Sequence, residues 1–175
     1  MAEPSPLTFR FTFDGQVPNS PYPALVYKNR RDLSASKDPE GEVESLFKRN
    51  GWGRDMWRDG VYPYVHYHPD IHEALGVARG SAILRIGGDG GETLTVKAGD
   101  VLVLPAGTGH QRLSASADLC VIGAYPPRGE YSLCRAGDQN AYASGLQTAP
   151  QVPVPESDPV HGKGGPLCTL WAASR

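Results

Sequence analysis

Gly60-Val61-Tyr62-Pro63-Tyr64-Val65-His66-Tyr67-His68-Pro69-Asp70-Ile71-His72-Glu73-Ala74-Leu75-Gly76-Val77-Ala78-Arg79-Gly80 is the stretch that decides the fold. A second stretch completes it: Gly99, five residues, Pro105-Ala106-Gly107, two residues, His110. Together they hold four of the chain's five histidines. On a β-strand, residues two apart share a face. His66 and His68 therefore project together, with Tyr64 beside them and Val65 and Tyr67 opposite. Pro69-Asp70 signals a turn, and the returning strand puts Glu73 on the face of Leu75 and Val77, with His72 on the other. Glu73 is thus expected to meet the two histidines across a hairpin, and His72 is not. Val101-Leu102-Val103-Leu104 reads as a fully buried strand. Pro105-Ala106-Gly107 turns the chain, and His110 opens the next strand with Arg112 and Ser114 on its face. Three imidazoles and one carboxylate, His66, His68, Glu73 and His110, suit a mid-hardness transition metal.

Both stretches resemble the two motifs of the cupin superfamily, G-x5-H-x-H-x4-E-x6-G and G-x5-P-x-G-x2-H-x3-N. Every defined position matches except the last, where Ser114 replaces the usual Asn. Tyr27-Lys28, Arg49-Asn50-Gly51-Trp52 and Leu113-Ser114-Ala115-Ser116 extend the similarity to the small bacterial cupins of the YjlB type. The resemblance implies an all-β fold, a single jelly-roll β-barrel with one short flanking helix. It implies one divalent transition metal (Fe, Mn, Ni, Co or Zn) held inside by His66, His68, Glu73 and His110. It also implies a homodimer, because many cupins pair through their outer sheet.

Composition agrees with one β-rich domain. The chain has 175 residues, enough for one core and too few for two. Its 21 glycines and 16 prolines punctuate apolar runs, the pattern of many short strands. A net charge of −2 leaves no electrostatic footprint for nucleic acid or an anionic membrane. No stretch approaches the ~20 apolar residues of a membrane span. Cys120, Cys134 and Cys168 make neither a paired framework nor a CxxC motif, and read as free thiols in a reducing, cytoplasmic setting.

Three regions are expected: an N-terminal extension over 1–59, a barrel core over 60–125 and a C-terminal extension over 126–175. In the first, Leu7 to Phe13 alternates as an edge strand and Ala24 to Tyr27 forms another. Asp38 caps a helix that opens at Pro39, buries Val43, Leu46 and Phe47, and stops at Gly51. Trp52 and Trp57 read as a packed cover on the barrel, or as the rim of a ligand mouth. Gly87-Gly88-Asp89-Gly90-Gly91 precedes a strand, so it is a hairpin turn and no phosphate loop.

An octahedral ion on four protein ligands keeps two positions for substrate, water or dioxygen. The favoured reading is a metal-dependent enzyme, dioxygenase-like, acting on a small oxygenated or carboxylate-bearing molecule. The alternative is a small-molecule or metal-binding module without turnover. Tyr64 and Arg112 are the expected substrate-binding residues, Arg112 because a guanidinium facing the interior beside the metal can grip a carboxylate at two points. The sequence assigns no catalytic acid or base; Tyr64 and His72 are the nearest by strand parity.

Overall fold

A computed structural model describes residues 5–174; the first four residues of the N-terminal extension and Arg175 lie outside them. In chain order the elements are β1 (Leu7–Phe9), β2 (Ala24–Tyr27), α1 (Pro39–Arg49), β3 (Arg54–Asp59), β4 (His66–Tyr67), β5 (Glu73–Arg79), β6 (Ser81–Ile86), β7 (Glu92–Lys97) and β8 (Val101–Leu104). There follow β9 (His110–Ala115), β10 (Cys120–Tyr125), β11 (Cys134–Arg135), α2 (Gln139–Thr148), β12 (Ser157–Asp158), β13 (Gly162–Lys163) and α3 (Pro166–Ala172). Two antiparallel sheets face each other, in the orders β1-β2-β8-β5-β10-β3 and β11-β4-β9-β6-β7, and β12-β13 is a separate small hairpin. This is the all-β jelly-roll class expected from the sequence.

The two sheets differ in how they are covered, and the sequence pattern follows. Inner residues of the six-stranded sheet, among them Val26, Leu75, Val77, Leu102 and Val121, pack on Leu84 and Ile86 of β6 and Val96 of β7. Its outer residues, including Leu25, Ala74, Val103 and Ile122, pack beneath Val43, Leu46 and Phe47 of α1 and beneath Trp52, Leu167 and Trp171. Strands buried on both faces need apolar residues at every position, and β8, Val-Leu-Val-Leu, is buried throughout. The five-stranded sheet presents one face to solvent, so β6 alternates between buried Ala82, Leu84 and Ile86 and more exposed neighbours.

Helix α1 begins where expected. The Asp38 carboxylate accepts the Gly41 N–H at 3.0 Å, and Val43, Leu46 and Phe47 are buried. Close seating depends on Gly76 of β5, where a Cβ would lie 2.4 Å from Cγ1 of Val43. The glycine turn after β6 joins it to β7 as a hairpin, with Gly87 and Gly88 at positive φ.

Two features go beyond the sequence expectation. Residues 54–59 form an edge strand, β3, paired with β10. The C-terminal extension adds two helices to the one expected. Among the α2 residues only Gly145 is buried, so that helix has no apolar stripe to betray it, and α3 spans just seven residues after Gly165. Trp52, like Trp171, is fully buried, and it donates Nε1–H to the Ser157 carbonyl at 2.7 Å, a packed cover. Cys120, Cys134 and Cys168 are free thiols. Among the described residues no helix is long and apolar enough to cross a membrane.

Candidate metal centre

The histidines come together at one end of the sandwich. His66 opens β4 and pairs in register with His110, the first residue of β9, which in turn opposes Ile86 of β6. His68 follows two residues after His66. Glu73 opens β5, opposite Leu104 of β8. β4 and β5 belong to different sheets, so Glu73 reaches the histidines across the sandwich and not along a hairpin. Pro69-Asp70 carries the chain from one sheet to the other; strand parity fixed the face of Glu73 but not the sheet it belongs to.

One ring nitrogen from each of His66, His68 and His110 lies within 4.8 Å of the others, and all three residues are buried. Each ring is tethered through Nδ1 to a backbone carbonyl: His66 to Tyr64 at 3.0 Å, His68 to Ser132 at 2.7 Å and His110 to Thr108 at 2.9 Å. A carbonyl only accepts, so each Nδ1 carries the hydrogen and each neutral ring keeps a bare lone pair on Nε2. The Glu73 Oε2 lies 3.2 Å from Nε2 of His110 and 3.5 Å from Nε2 of His68. It is buried and accepts no hydrogen bond. Those two statements agree once the tautomer is fixed, since an Nε2 without hydrogen has nothing to donate.

Charge preferences point the same way. Burial and the neighbouring His110 hold the His66 imidazolium down to about 3, and burial likewise pushes His68 down. Burial pushes the Glu73 carboxyl up, but positive charge at the positions of His68 and His110 outweighs it and holds the carboxyl near 2, so the carboxylate favours a cation beside it. Three ring nitrogens thus face one another, with the Glu73 carboxylate beside those of His68 and His110. Four lone-pair donors without a hydrogen fit a cation, and three nitrogens with one oxygen fit a divalent transition metal. The Nδ1–carbonyl tethers supply the outer support that orients such ligands.

A cavity of about 220 Å³ opens onto this cluster. Besides the four residues it is lined chiefly by Trp57, Val61, Tyr62, Leu75, Tyr125 and Tyr131. Tyr62 and Tyr131 are about half exposed at its mouth. Arg58 also lines it, with its Nε bonded to Glu44 at 2.6 Å.

The other sequence-derived residues lie close by. Tyr64 stacks on Tyr62 with ring centroids 5.0 Å apart, meets His66 edge-on, and carries the Arg135 guanidinium 3.8 Å above its ring. Arg112 opposes the buried Leu84, and its Nη1 would be 3.9 Å from a Cβ placed on Gly60. Neither belongs to the cavity lining. Ser114 is exposed and opposes Ile83, because a bulge at Leu113 shifts the register. His72 faces away from the cluster, as parity predicts. Its Nδ1 accepts the Ala106 N–H at 2.9 Å, its Nε2 donates to the Pro153 carbonyl at 3.1 Å, and its ring packs on Trp171.

Sequence reasoning did not reach Tyr125, Tyr131 or the Ser132 carbonyl. For Tyr125 a signal existed, since it shares the inward parity of Val121 on β10. Tyr131 and Ser132 lie in a loop, where no period marks them.

The chain matches the cupin domain family over residues 57–122. It is 39% identical over 165 residues to Uncharacterized protein YjlB of Bacillus subtilis (strain 168), covering 94% of this chain and 95% of the relative. Among solved structures, acireductone dioxygenase from Bacillus anthracis, with cadmium in its active center, aligns at a TM-score of 0.37 and 16% identity. That alignment covers 61% of this chain and 80% of the dioxygenase. Bacillus subtilis oxalate decarboxylase, with Mn(II) centers, aligns at 0.38 and 19%, covering 65% of this chain and 28% of its own. Neither structural likeness is close enough to carry a substrate or an activity across.

Proposed function

Because this chain belongs to the cupin family, in company with YjlB, we propose that it binds one divalent transition metal, Fe, Mn, Ni, Co or Zn, through His66, His68, Glu73 and His110. We further propose that it is a dioxygenase-like oxidoreductase acting on a small oxygenated or carboxylate-bearing molecule. One observation carries the metal assignment: three Nε2 lone pairs and an unpartnered carboxylate oxygen face one another in a buried site. Without a cation such a group of acceptors would cost several kcal/mol.

Held by those four residues, an octahedral ion would keep two positions for exogenous groups. A redox-active ion there supplies dioxygen or carbon–carbon cleavage chemistry, and a redox-inert one supplies Lewis-acid polarisation. The chain's own residues do the rest. Val61, Leu75 and the aromatic walls displace water, and the carbonyl tethers keep the three rings in place. The cavity is worth about seven waters at their liquid share of ~30 Å³, which restricts the ligand to a small molecule. Arg112, next to the cavity, is proposed to grip a substrate carboxylate; Arg112→Lys should then weaken small carboxylates at least tenfold in calorimetry without changing metal content. Equal affinity removes that role.

Oxygen uptake by Fe(II)-loaded protein across small acids, diols and thiols tests the enzymatic reading. Turnover that disappears in His110→Ala supports it. Stoichiometric metal binding and ligand affinity with no turnover favours a binding module, a reading that gains from the Tyr125 hydroxyl being already committed to Glu73. Cytoplasmic residence is proposed on the three free thiols. A homodimer is proposed on the exposed Ile83 and Leu113 of the neighbouring strands β6 and β9, and a monomer mass in sedimentation equilibrium would dismiss it.

A further inference from the structure

We infer that Tyr125, itself held by Trp57, is the positioning residue that decides which oxygen of Glu73 faces the metal and keeps that carboxylate to a single coordination position. The inference rests on the metal assignment proposed above, and it adds two residues to the centre that neither motif contains.

Three groups form a one-way chain of hydrogen bonds. The Trp57 indole Nε1–H donates to Oη of Tyr125 at 2.9 Å, and Oη–H of Tyr125 donates to Oε1 of Glu73 at 3.0 Å. An indole nitrogen donates only, and an ionised carboxylate accepts only. Both ends are therefore fixed in polarity, and the single phenolic hydrogen must point at Oε1. Nothing in this chain can flip without leaving a buried donor or acceptor unpaired, at about 1–3 kcal/mol each.

The backbone holds the chain rigidly. Trp57 lies on β3 directly opposite Gly123 of β10. A Cβ at position 123 would lie 1.9 Å from Cε2 of the indole, so only glycine lets the ring lie flat across β10. Tyr125 and Glu73 are each only 2% exposed.

The consequence appears at the two carboxylate oxygens. Oε1 is occupied by a proton donor, whereas Oε2, next to Nε2 of His68 and His110, accepts nothing. Glu73 therefore offers Oε2 alone. Three nitrogens and one oxygen then take four positions on an octahedral ion, leaving two; a carboxylate binding through both oxygens would leave one. Tyr125 and Trp57 thus preserve a place for an exogenous ligand.

Cobalt(II) and azide are the probes. Wild-type protein should take up one Co(II) per chain and bind azide, with a change in the visible d–d bands. Tyr125→Phe keeps the ring and deletes the donor. It should retain one Co(II) per chain and the wild-type circular dichroism, weaken Co(II) by ten- to a hundredfold, shift the d–d bands as a second carboxylate oxygen replaces an exogenous ligand, and weaken azide at least tenfold. Trp57→Phe should shift the same three readings in the same direction by less, and decides the matter if Tyr125→Phe does not fold. A merely structural pair would change melting temperature and leave the Co(II) spectrum and azide affinity alone. Wild-type spectra and azide affinity in the variants overturn this inference and leave the metal assignment standing. Wild-type protein that takes up no Co(II) overturns both.

Discussion

His72 and Glu73 are neighbours in the chain, point to opposite faces of β5, and lie in two histidine environments that look alike until their nitrogens are counted. Inside the sandwich, His66, His68 and His110 are buried; outside it, beneath α3, His72 is buried completely. Burial holds His66 down to about 3 and His72 down to about 4. Neither burial nor lowered basicity separates the two regions. The separation lies in what each nitrogen does. His72 spends both, one accepting from Ala106 and one donating to Pro153. Each inner ring spends only Nδ1. A buried histidine with both nitrogens satisfied is part of the frame; one with a lone pair left over is waiting for a cation.

The largest expected effect would break this comparison outright. His66→Ala or His110→Ala should take metal content, by mass spectrometry, from one ion per chain to near zero, while His72→Ala keeps most of it. Metal lost from His72→Ala but kept in Glu73→Ala would reverse the assignment of the two faces.

The second effect falls on the outer face. His72→Ala orphans the Ala106 N–H and the Pro153 carbonyl and leaves a cavity against Trp171, so it should cost about 3 kcal/mol in chemical denaturation of the metal-free protein. Unchanged stability would mean that His72 is no brace. Next in size, Gly76→Ala should cost about 2 kcal/mol, because its Cβ would collide with Val43 and force α1 outward. Metal content should not move, since the crowding lies on the outer side of β5.

The smallest effect is in pH. His72 has a folded value of about 4, below its unfolded value of ~6.5. A depressed value means the unfolded chain binds the proton first, so stability is fully present above ~6.5 and drains away as pH falls toward 4. In metal-free protein the advantage of wild type over His72→Ala should therefore shrink by about 1 kcal/mol between about pH 7 and about pH 5.5. A gap that stays constant would mean that His72 is not held neutral.

The proposed ligand set was legible because strands impose a period of two, and a period assigns faces. It separated Glu73 from His72 with no knowledge of topology. It does not assign sheets, which is why Glu73 was expected across a hairpin and is found across the sandwich. The unbroken apolar run of β8 likewise read directly as a strand buried on both faces. Charges hid β3: Arg54-Asp55-Met56-Trp57-Arg58-Asp59 lies at a sheet edge, where polar residues are no cost, so no apolar alternation marked it as a strand. The Tyr125–Trp57 pair depends on β3 lying beside β10, a long-range fact that local pattern cannot carry. Tyr131 and the Ser132 carbonyl enter from a loop, and α2 buries too little to leave a helical stripe.

Ser132 and Pro153 also set a schedule for how the proposed metal centre is assembled. The carbonyl that orients His68 lies 64 residues downstream of it, and the one that locks His72 lies 81 residues downstream. Synthesis delivers the N-terminal side first. The emerging chain thus carries all four proposed donors, with the Tyr64 and Thr108 carbonyls that hold His66 and His110, before it carries the carbonyl that aims His68. A loose His-rich segment binds by raw affinity, and raw affinity favours copper. Selection by shape is complete only once Ser132 has been laid down and seated, so the proposed ion is chosen by the folded protein and not at the ribosome.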